Sequence, residues 1–283
     1  MSAGAGDRLT TLAHDGLVFD VIDSGPLHGA PVVLLHGFPQ RASSWAPVAV
    51  LLHDAGLRTY ALDQRGYSPG ARPPRVRDHT LDRLVGDVVA LIERIGAPVH
   101  LVGHDWGANV AWALAASRPD LLSSLTALSV PHPRGLVRAM RTFDQARRSW
   151  YIVAFQLPWL PEKALAGRRG VAAMRGSGMD PGMVETYRRE IVDAGALRGG
   201  LNWYRALRHA PPGGFGRPVS VPTTYVWSDG DTALGRAGAE ACAEHVAGDY
   251  RFVVIEGASH WLVDQHPAEV AAAVVDRVRR VAG

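Results

Sequence analysis

The stretch LVGHDWGANVAW, residues 101–112, joins an apolar run to an alanine-rich helical pattern through a short glycine-framed turn. Gly103 and Gly107 stand two residues before and two residues after Asp105. This frame is typical of a nucleophile elbow, a tight strand–turn–helix connection that lifts its central side chain above a sheet. Glycine is favoured at the flanking positions because any side chain would clash there. Asp105 is therefore a candidate nucleophile, although an aspartate N-cap of the following helix would give a similar pattern.

Two later loops supply an acid and a base in the order that an elbow nucleophile requires, acid first and histidine second. The apolar run TTYVWSD, residues 223–229, leads into Asp231, and the run RFVVIEG, residues 251–257, leads into His260. Asp229 is the rival acid, but its place at the strand edge favours a turn or capping role. His260 alone would also suit a packed histidine. Its position after a strand favours a general base oriented by Asp231.

The loop LLHGFP, residues 34–39, follows an earlier apolar run and is expected to lie beside the elbow. We expect the backbone N–H groups of Phe38 and Trp106 to form an oxyanion hole there. His36 shapes the same loop and is a candidate substrate-binding residue.

A carboxylate at the elbow changes the kind of bond that the site attacks. At an acyl carbon it would form an anhydride, which is a poor route to ester hydrolysis. It is better suited to displacing a leaving group from a saturated carbon, with an alkyl ester forming on Asp105. Water activated by His260 then attacks that ester while the two amides hold its oxygen. The residues predict one of two substrate classes. An epoxide would give an alkoxide leaving group that needs a proton donor, whereas an alkyl halide would release a halide ion that needs only weak N–H donors.

The rest of the chain favours an α/β fold with a mostly parallel, eight-stranded sheet and helices on both faces. Continuous apolar runs that alternate with helical patterns indicate strands buried on both sides. The first two runs are expected to form an antiparallel start to the sheet. The strand-like runs are 17–23, 31–37, 58–64, 99–105, 125–131, 223–229 and 251–257. The helical segments are 43–54, 80–95, 107–117, 235–247 and 267–281.

The alternation fails between residues 133 and 217, where helical patterning is rich in tryptophan and tyrosine. We expect a helical cap there, inserted over the carboxyl ends of the strands, where ligands bind in open α/β sheets. The Pro/Gly-rich segment HAPPGGFGRPVSVP, residues 209–222, is predicted to be a hinge. Residues 1–132 and 218–283 would then form the α/β core, although a helical excursion with no role in the site is the alternative.

Composition excludes several classes of protein. Of the 283 residues, 47% are hydrophobic and 20% are charged, which is ample material for a core. The net charge is only +3 and no basic run alternates with aromatic residues, so we expect no nucleic-acid partner. A single cysteine, Cys242, excludes an intrachain disulfide. No apolar run is long enough to span a bilayer. We expect a cytoplasmic protein with no membrane partner, either a monomer or a homodimer.

Five motifs together resemble the epoxide hydrolases of the α/β-hydrolase superfamily, from about residue 10 to the C-terminus. They are HGFP 36–39, DQRGYSPGARP 63–73, GHDWGA 103–108, WYIVAFQLPWLPE 150–162 and LNWYR 201–205. The resemblance implies that Tyr151 and Tyr204 are the two cap tyrosines that hydrogen-bond the epoxide oxygen. Trp150 and Trp261 are candidate substrate-binding residues, whereas Tyr187 is expected on a solvated helix face. Water and the triad suffice for this chemistry, so neither a metal nor an organic cofactor is implied.

The leading hypothesis is an epoxide hydrolase that opens a small apolar or aromatic epoxide to a vicinal diol. The alternative is a haloalkane or haloacid dehalogenase with the same Asp105, Asp231 and His260. Phe38 stands where many haloalkane enzymes carry a halide-binding asparagine, and Trp106 stands where fluoroacetate-type enzymes carry arginine. A catalytically silent ligand-binding relative is the third hypothesis, but it would leave an intact triad and two tyrosines unexplained.

Overall fold

The computed structural model describes residues 8–210 and 217–283, and its centre is one eight-stranded sheet. The strands lie in the order β1-β2-β4-β3-β5-β6-β7-β8. They are β1 Thr11–His14, β2 Leu17–Ser24, β3 Ala30–Leu35, β4 Leu57–Leu62, β5 Val99–His104, β6 Leu122–Leu128, β7 Thr223–Ser228 and β8 Tyr250–Ile255. The predicted fold class is confirmed.

The antiparallel part of the sheet differs from the prediction. β1 pairs antiparallel with β2 and β2 with β4, whereas β3 lies parallel between β4 and β5. The expectation that the 17–23 and 31–37 runs form an antiparallel start was therefore wrong. β3 is buried along most of its length on both faces, which is the environment of a central parallel strand. The short β1, most of it exposed or partly exposed, was absent from the predicted runs.

Helices cover both faces of the sheet, and the core is divided accordingly. Successive residues of β3 point to opposite faces, so Val33 and Leu35 join one apolar cluster while Val32 and Leu34 join the other. The helices are α1 Ala46–Asp54, α2 Leu81–Ile95, α3 Trp106–Ser117, α4 Pro133–Ala139, α5 Phe143–Arg148, α6 Trp150–Ala154, α7 Leu160–Ala166, α8 Arg168–Gly176, α9 Pro181–Tyr187, α10 Leu197–Ala206, α11 Arg236–Glu240, α12 Leu262–Gln265 and α13 Pro267–Ala282.

Helices α4 to α10 all lie between β6 and β7, where the alternation of strands and helices stops in the sequence. A π-helical turn, Arg188–Asp193, follows α9. The predicted hinge, residues 209–222, includes residues 211–216, which lie outside the described residues. Within the two described ranges, no helix is both long enough and apolar enough to cross a membrane.

Tyr187 corrects another expectation from the sequence. Its side chain is buried and its hydroxyl donates a hydrogen bond to the Leu165 carbonyl oxygen, at 2.9 Å. The surrounding charges in VETYRREI made this residue resemble a solvated one. The structure turns the ring inward, where it joins the apolar cluster that includes Leu165 and Ile191.

Gly107→Ala is expected to destabilise the fold by about 2–3 kcal/mol, because overpacking a tight backbone contact forces a shift. A Cβ at Gly107 would lie 2.1 Å from the Leu35 carbonyl oxygen, which is backbone of a central strand. Urea unfolding measures the loss. Gly86→Ala in α2 is the matched control, since its Cβ would meet only His14 at 3.7 Å. We expect it to stabilise by about 0.5–1 kcal/mol, as alanine does in a helix. Equal midpoints for the two variants would contradict the prediction.

Candidate active site

Asp105 lies at the turn between β5, which ends at His104, and α3, which begins at Trp106. Its φ is 52°, in the left-handed region that non-glycine residues rarely adopt. The side chain makes no N-cap hydrogen bond to α3. Backbone strain of this kind is found where surrounding structure fixes a side chain for a purpose. The geometry is that of the predicted elbow, and it removes the N-cap interpretation.

The loop after β3 brings backbone donors to one oxygen of this carboxylate. The Phe38 N–H donates to Asp105 Oδ1 at 2.8 Å, and the Trp106 N–H also bonds the carboxylate. A side chain at Gly37 would be impossible, because its Cβ would lie 2.4 Å from Asp105 Cβ. Both predicted amides thus bond the carboxylate, and the Phe38 amide does so through Oδ1.

His260 and Asp231 complete the predicted triad. His260 Nε2 lies 3.7 Å from Asp105 Oδ2, and His260 Nδ1 donates to Asp231 Oδ2 at 2.7 Å. The other oxygen of Asp231 accepts from the backbone N–H groups of Ala233 at 2.7 Å and Leu234 at 3.0 Å. These bonds orient the imidazole with Nε2 towards Asp105, as in other triads.

The charged groups of the triad and their burial shift one another's pKa values. Burial acts to lower the pKa of His260, but Asp231 and then Asp105 raise it to about 9. Burial acts to raise the pKa of Asp231, but His260 and the two loop amides outweigh it and the pKa is lowered. Burial raises the pKa of Asp105, opposed by His260 and by the Phe38 and Trp106 amides. The rival Asp229 accepts a backbone hydrogen bond from Gly257 at 2.6 Å instead, which is a structural role.

The cavity above Asp105 has two lobes, of about 630 Å³ and 740 Å³. Asp105, Tyr151 and Tyr204 line both lobes and therefore stand at their junction. Trp203 and Leu234 also line the smaller lobe, which we call the first lobe. His260 and several residues between 147 and 177 also line the larger one, which we call the second lobe. A substrate with a group on each side of its reacting carbon fits this shape.

Tyr151 and Tyr204 stand together over the nucleophile. Their ring centroids are 5.9 Å apart, and Tyr204 packs edge-on against Trp106 at 5.0 Å. Burial, followed by the negative charge of Asp105, raises the pKa of both hydroxyls above the ordinary value. Both side chains are therefore neutral hydrogen-bond donors at neutral pH.

The remaining predicted substrate-binding residues take different positions. Trp261 is buried in the wall of the second lobe and its indole donates to the Ser177 carbonyl at 3.0 Å. Trp150 lies on the rim of that lobe and is 69% exposed. His36 lines neither lobe. Its ring accepts from the Gln64 N–H at 3.1 Å, and burial lowers its pKa to about 4, so the structure gives it a bracing place in the loop.

His104 is a part of the site that the sequence did not reveal. Its Nε2 donates to the His260 carbonyl oxygen at 2.9 Å, which ties the elbow to the loop that carries the base. Burial, followed by the charge of His260, lowers the pKa of His104 to about 3, so the ring is neutral. The one available signal was the histidine directly before Asp105, at the end of a strand whose only other polar residue is His100.

Comparison with known proteins agrees with this geometry. A model of the alpha/beta hydrolase family matches residues 32–273. The chain belongs to the alpha/beta hydrolase family. Epoxide hydrolase A of Mycobacterium tuberculosis is 33% identical, over 93% of this chain and 94% of the relative. An AB hydrolase superfamily protein of Bacillus subtilis is 32% identical, over 94% of this chain and 96% of the relative.

Two solved structures of epoxide hydrolases are also similar to this chain. Epoxide Hydrolase A from Mycobacterium thermoresistibile has a TM-score of 0.82 and 29% identity, covering 95% of this chain and 97% of that one. A variant of an epoxide hydrolase from Bacillus megaterium, complexed with a naphthyloxy-propanediol product, has a TM-score of 0.83 and 25% identity, covering 95% and 99%. The resemblance to epoxide hydrolases that the sequence motifs carry is confirmed.

A pH titration tests the coupling between Asp105 and His260. Asp105→Asn removes a charge that raises the pKa of His260, so we expect that pKa to fall below about 9. A raised folded-state pKa stabilises the fold fully below the unfolded value of about 6.5, and the gain is lost as pH rises through 9. The fall in stability as pH rises from about 6.5 to 9 should therefore be smaller in the variant than in the wild type. NMR of the His260 ring and thermal unfolding from pH 6 to 10 measure both. An unchanged pKa in the variant contradicts the coupling.

Proposed function

We propose that this protein hydrolyses an apolar epoxide to a vicinal diol through a covalent ester on Asp105. The observation that carries the proposal is the meeting of a buried carboxylate and two neutral tyrosines at the junction of the cavity. The named epoxide hydrolases among its relatives support the same reaction. We further infer that residues 133–217 act as the cap of the site, because Tyr151 and Tyr204 come from this segment.

The first half of the reaction forms the ester. Asp105 Oδ2 attacks one epoxide carbon, the carbon–oxygen bond breaks, and its electron pair stays on the epoxide oxygen. Tyr151 and Tyr204 donate hydrogen bonds to that oxygen and one of them supplies its proton, since a free alkoxide is too basic to leave at neutral pH. The Phe38 amide holds Oδ1 and the Trp106 amide also bonds the carboxylate, so Oδ2 is the oxygen left to attack the carbon.

The second half of the reaction hydrolyses the ester and restores the free enzyme. His260 takes a proton from water, which attacks the Asp105 carboxyl carbon, and Oδ1 becomes an oxyanion between two amides that are already placed. Collapse releases the diol oxygen, which receives a proton from His260. Asp105 is then a carboxylic acid, and its proton returns to the tyrosinate left by the first half, so both groups regain their starting states. Esterification also removes the negative charge of Asp105, one of the causes that raise the pKa of His260. The base is therefore more readily neutral when the ester is present than in the free enzyme.

Halide displacement by the same triad is not favoured. Two neutral hydroxyls at the junction suit a developing alkoxide, and the relatives and structures named above are epoxide hydrolases where their names state an activity. Incubation with a styrene-oxide-type epoxide and, separately, with a chloroalkane separates the reactions. We expect diol from the first and no chloride from the second. Chloride release without diol formation would overturn the proposal.

Tyr151→Phe and Tyr204→Phe are each expected to slow ester formation by about 10²-fold, the usual scale of a lost general acid. The double variant should be slower than either. Single-turnover quenching with detection of the alkyl-enzyme measures this step separately from hydrolysis. Tyr187→Phe is the matched control, because its buried hydroxyl bonds the Leu165 carbonyl and lies outside both lobes. If the two single variants and the double variant form the ester as fast as Tyr187→Phe, the two tyrosines have no part in the mechanism.

A further inference from the structure

The helical segment is electrically unlike the rest of the chain. Residues 133–210 carry fourteen Arg or Lys and six Asp or Glu, a net charge of +8. The remaining residues therefore have a net charge of −5, because the whole chain has +3. The small overall charge is thus the sum of a strongly basic segment, residues 133–210, which we call the cap segment, and an acidic core. A field of this kind attracts an anionic partner to the cap side of the molecule.

The same segment exposes large apolar side chains. We define the cap apolar patch as six exposed residues of α5, α6 and the turn into α7: Phe143, Trp150, Val153, Leu157, Trp159 and Leu160. Phe143 is 84% exposed, Val153 75% and Trp159 58%. Single exposed apolar residues are normal, but six within eighteen residues of chain mark a surface that meets something apolar.

Trp159 is held outward at a backbone cost. Its φ is 50°, in the left-handed region, at the start of α7. Lys163 lies over its indole, 4.9 Å from the ring centroid, so a cation and an aromatic ring share one exposed position. Tryptophan beside a basic side chain is the pairing found at the water–membrane boundary, where the ring and the charge meet headgroups.

We propose that the cap apolar patch docks on the surface of an anionic lipid membrane. The aromatic and aliphatic side chains would enter the boundary between headgroups and acyl chains, while basic side chains of the same segment, such as the exposed Arg147 and Lys163, meet lipid phosphates. Trp150 belongs both to this patch and to the rim of the second lobe, next to the exposed Arg147. Docking here would place one mouth of the cavity at the membrane surface, from which an apolar ligand can enter.

Two other occupants fit the patch less well. A second copy of this chain would bring two cap segments of +8 together, which is unfavourable. A single-stranded nucleic acid would match the charge and the aromatic rings, but not the aliphatic Val153, Leu157 and Leu160. The expectation of no membrane partner came from the lack of a long apolar run, and an exposed patch on short helices does not produce one.

Vesicle flotation tests the docking. Wild-type protein is mixed with vesicles of phosphatidylcholine alone or with phosphatidylglycerol added, at low and high salt. We expect at least about tenfold more binding to the anionic vesicles, weakened by salt. Val153→Ser and Trp159→Ser should each reduce binding several-fold. Val50→Ser on α1 of the core, where Val50 is 58% exposed, is the matched control and should bind like wild type.

Several outcomes would overturn the docking proposal. These are equal binding to both vesicle types, binding that the cap variants do not change, tighter binding to single-stranded RNA than to vesicles, or cap-dependent dimers in solution. The variants lie outside both lobes, so circular dichroism and turnover of a water-soluble epoxide show that they remain folded.

A second, independent observation concerns the loop that holds the triad acid. Gln145 of α5 is buried; its Nε2 donates to the Ala233 carbonyl at 2.8 Å and its Oε1 accepts from the Gly235 N–H at 2.9 Å. The Ala233 carbonyl and the Leu234 N–H belong to one peptide group and point in opposite directions. That N–H donates to Asp231 Oδ1. Hydrogen bonds therefore run without a gap from Gln145 through one peptide to Asp231.

We infer that Gln145 is a positioning residue for the acid, acting on His260 through Asp231. Hydrogen bonds in such a chain polarise and strengthen one another, so donation to the carbonyl improves the amide that holds the carboxylate. Arg148, one turn later, donates to the Asp231 carbonyl at 2.7 Å and adds a second contact between the cap segment and this loop. The inference rests on the proposed function, in which His260 is needed only for ester hydrolysis.

Gln145→Met keeps the side-chain length and removes the hydrogen bonds to Ala233 and Gly235, together with a third from Nε2 to Ser149 Oγ at 3.0 Å. We expect ester hydrolysis to slow about tenfold while ester formation stays within about twofold, measured by single turnover. Arg138→Leu is the control, because it breaks another contact between the cap segment and the core, the ion pair with Glu244 at 2.7 Å. It should change neither step. Equal slowing of both steps in Gln145→Met would overturn this inference alone, whereas absence of any alkyl-enzyme in wild type would overturn the proposed function.

Discussion

Asp105→Asn is expected to reduce diol formation by at least about four orders of magnitude, because the amide cannot form the ester intermediate. The side chain keeps its shape, and its oxygen can still accept from the Phe38 N–H that now holds Oδ1 at 2.8 Å. Loss of activity would therefore report lost nucleophilicity. Diol is measured by chromatography after incubation with a styrene-oxide-type epoxide.

Two controls make this result specific to the nucleophile. Asp229→Asn changes the rival acid, whose carboxylate accepts a hydrogen bond from the Gly257 N–H. This variant should keep near wild-type turnover. Peptide mass spectrometry must show that the introduced asparagine has not deamidated, and Asp105→Ala gives a variant in which deamidation is impossible. Diol formation by the alanine variant within about tenfold of wild type would exclude the ester mechanism.

Most of the sheet could be predicted from the sequence because its strands are buried on both faces and therefore form continuous apolar runs. The β5 and β7 strands, buried throughout, are of this kind. The pairing of β3 could not be read from the same signal. Strand order depends on where the connecting helices cross the sheet, and an apolar run carries no information about its neighbours. The partly exposed β1 lacked the signal altogether.

The meeting of Asp105, Asp231 and His260 could be predicted because each of them follows a strand, while the catalytic roles that chain order suggests for them stay a proposal. The supporting contacts could not. His104 and Gln145 act through backbone carbonyls 156 and 88 residues away along the chain, at His260 and Ala233. Every residue has a backbone carbonyl, so no sequence pattern shows which distant carbonyl a given side chain will bond. His36 is the reverse case, since a residue close to the site in sequence lines neither lobe, and its substrate-binding role stays a prediction.

The charge and the exposed apolar residues of the cap segment could not be predicted from properties averaged over the whole chain. A net charge of +3 predicts no particular partner, yet it is the sum of a basic segment and an acidic core. In the same way, helices of five to nine residues between Phe143 and Gly176 are too short to produce a long apolar run. Only their three-dimensional arrangement shows which apolar side chains remain exposed.

His260→Gln is expected to trap the alkyl-enzyme. Ester formation needs Asp105 and a proton donor, so it should proceed, whereas hydrolysis loses its base and should slow by about 10²–10⁴-fold. His260 Nε2, 3.7 Å from Asp105 Oδ2, is the imidazole nitrogen that faces the carboxylate; Nδ1 is already bonded to Asp231. Intact mass spectrometry should show a stable increase equal to the mass of the epoxide, and peptide mapping should place it on Asp105.

An oxygen label in the wild-type protein separates this mechanism from direct attack of water on the epoxide. In water enriched in heavy oxygen, a single turnover should leave the label on Asp105, because the diol takes its new oxygen from Oδ2 and water attacks the carboxyl carbon. Later turnovers release labelled diol. If the first diol already carries the label and His260→Gln forms no adduct, Asp105 is not alkylated, and His260 must then activate a water that opens the epoxide itself.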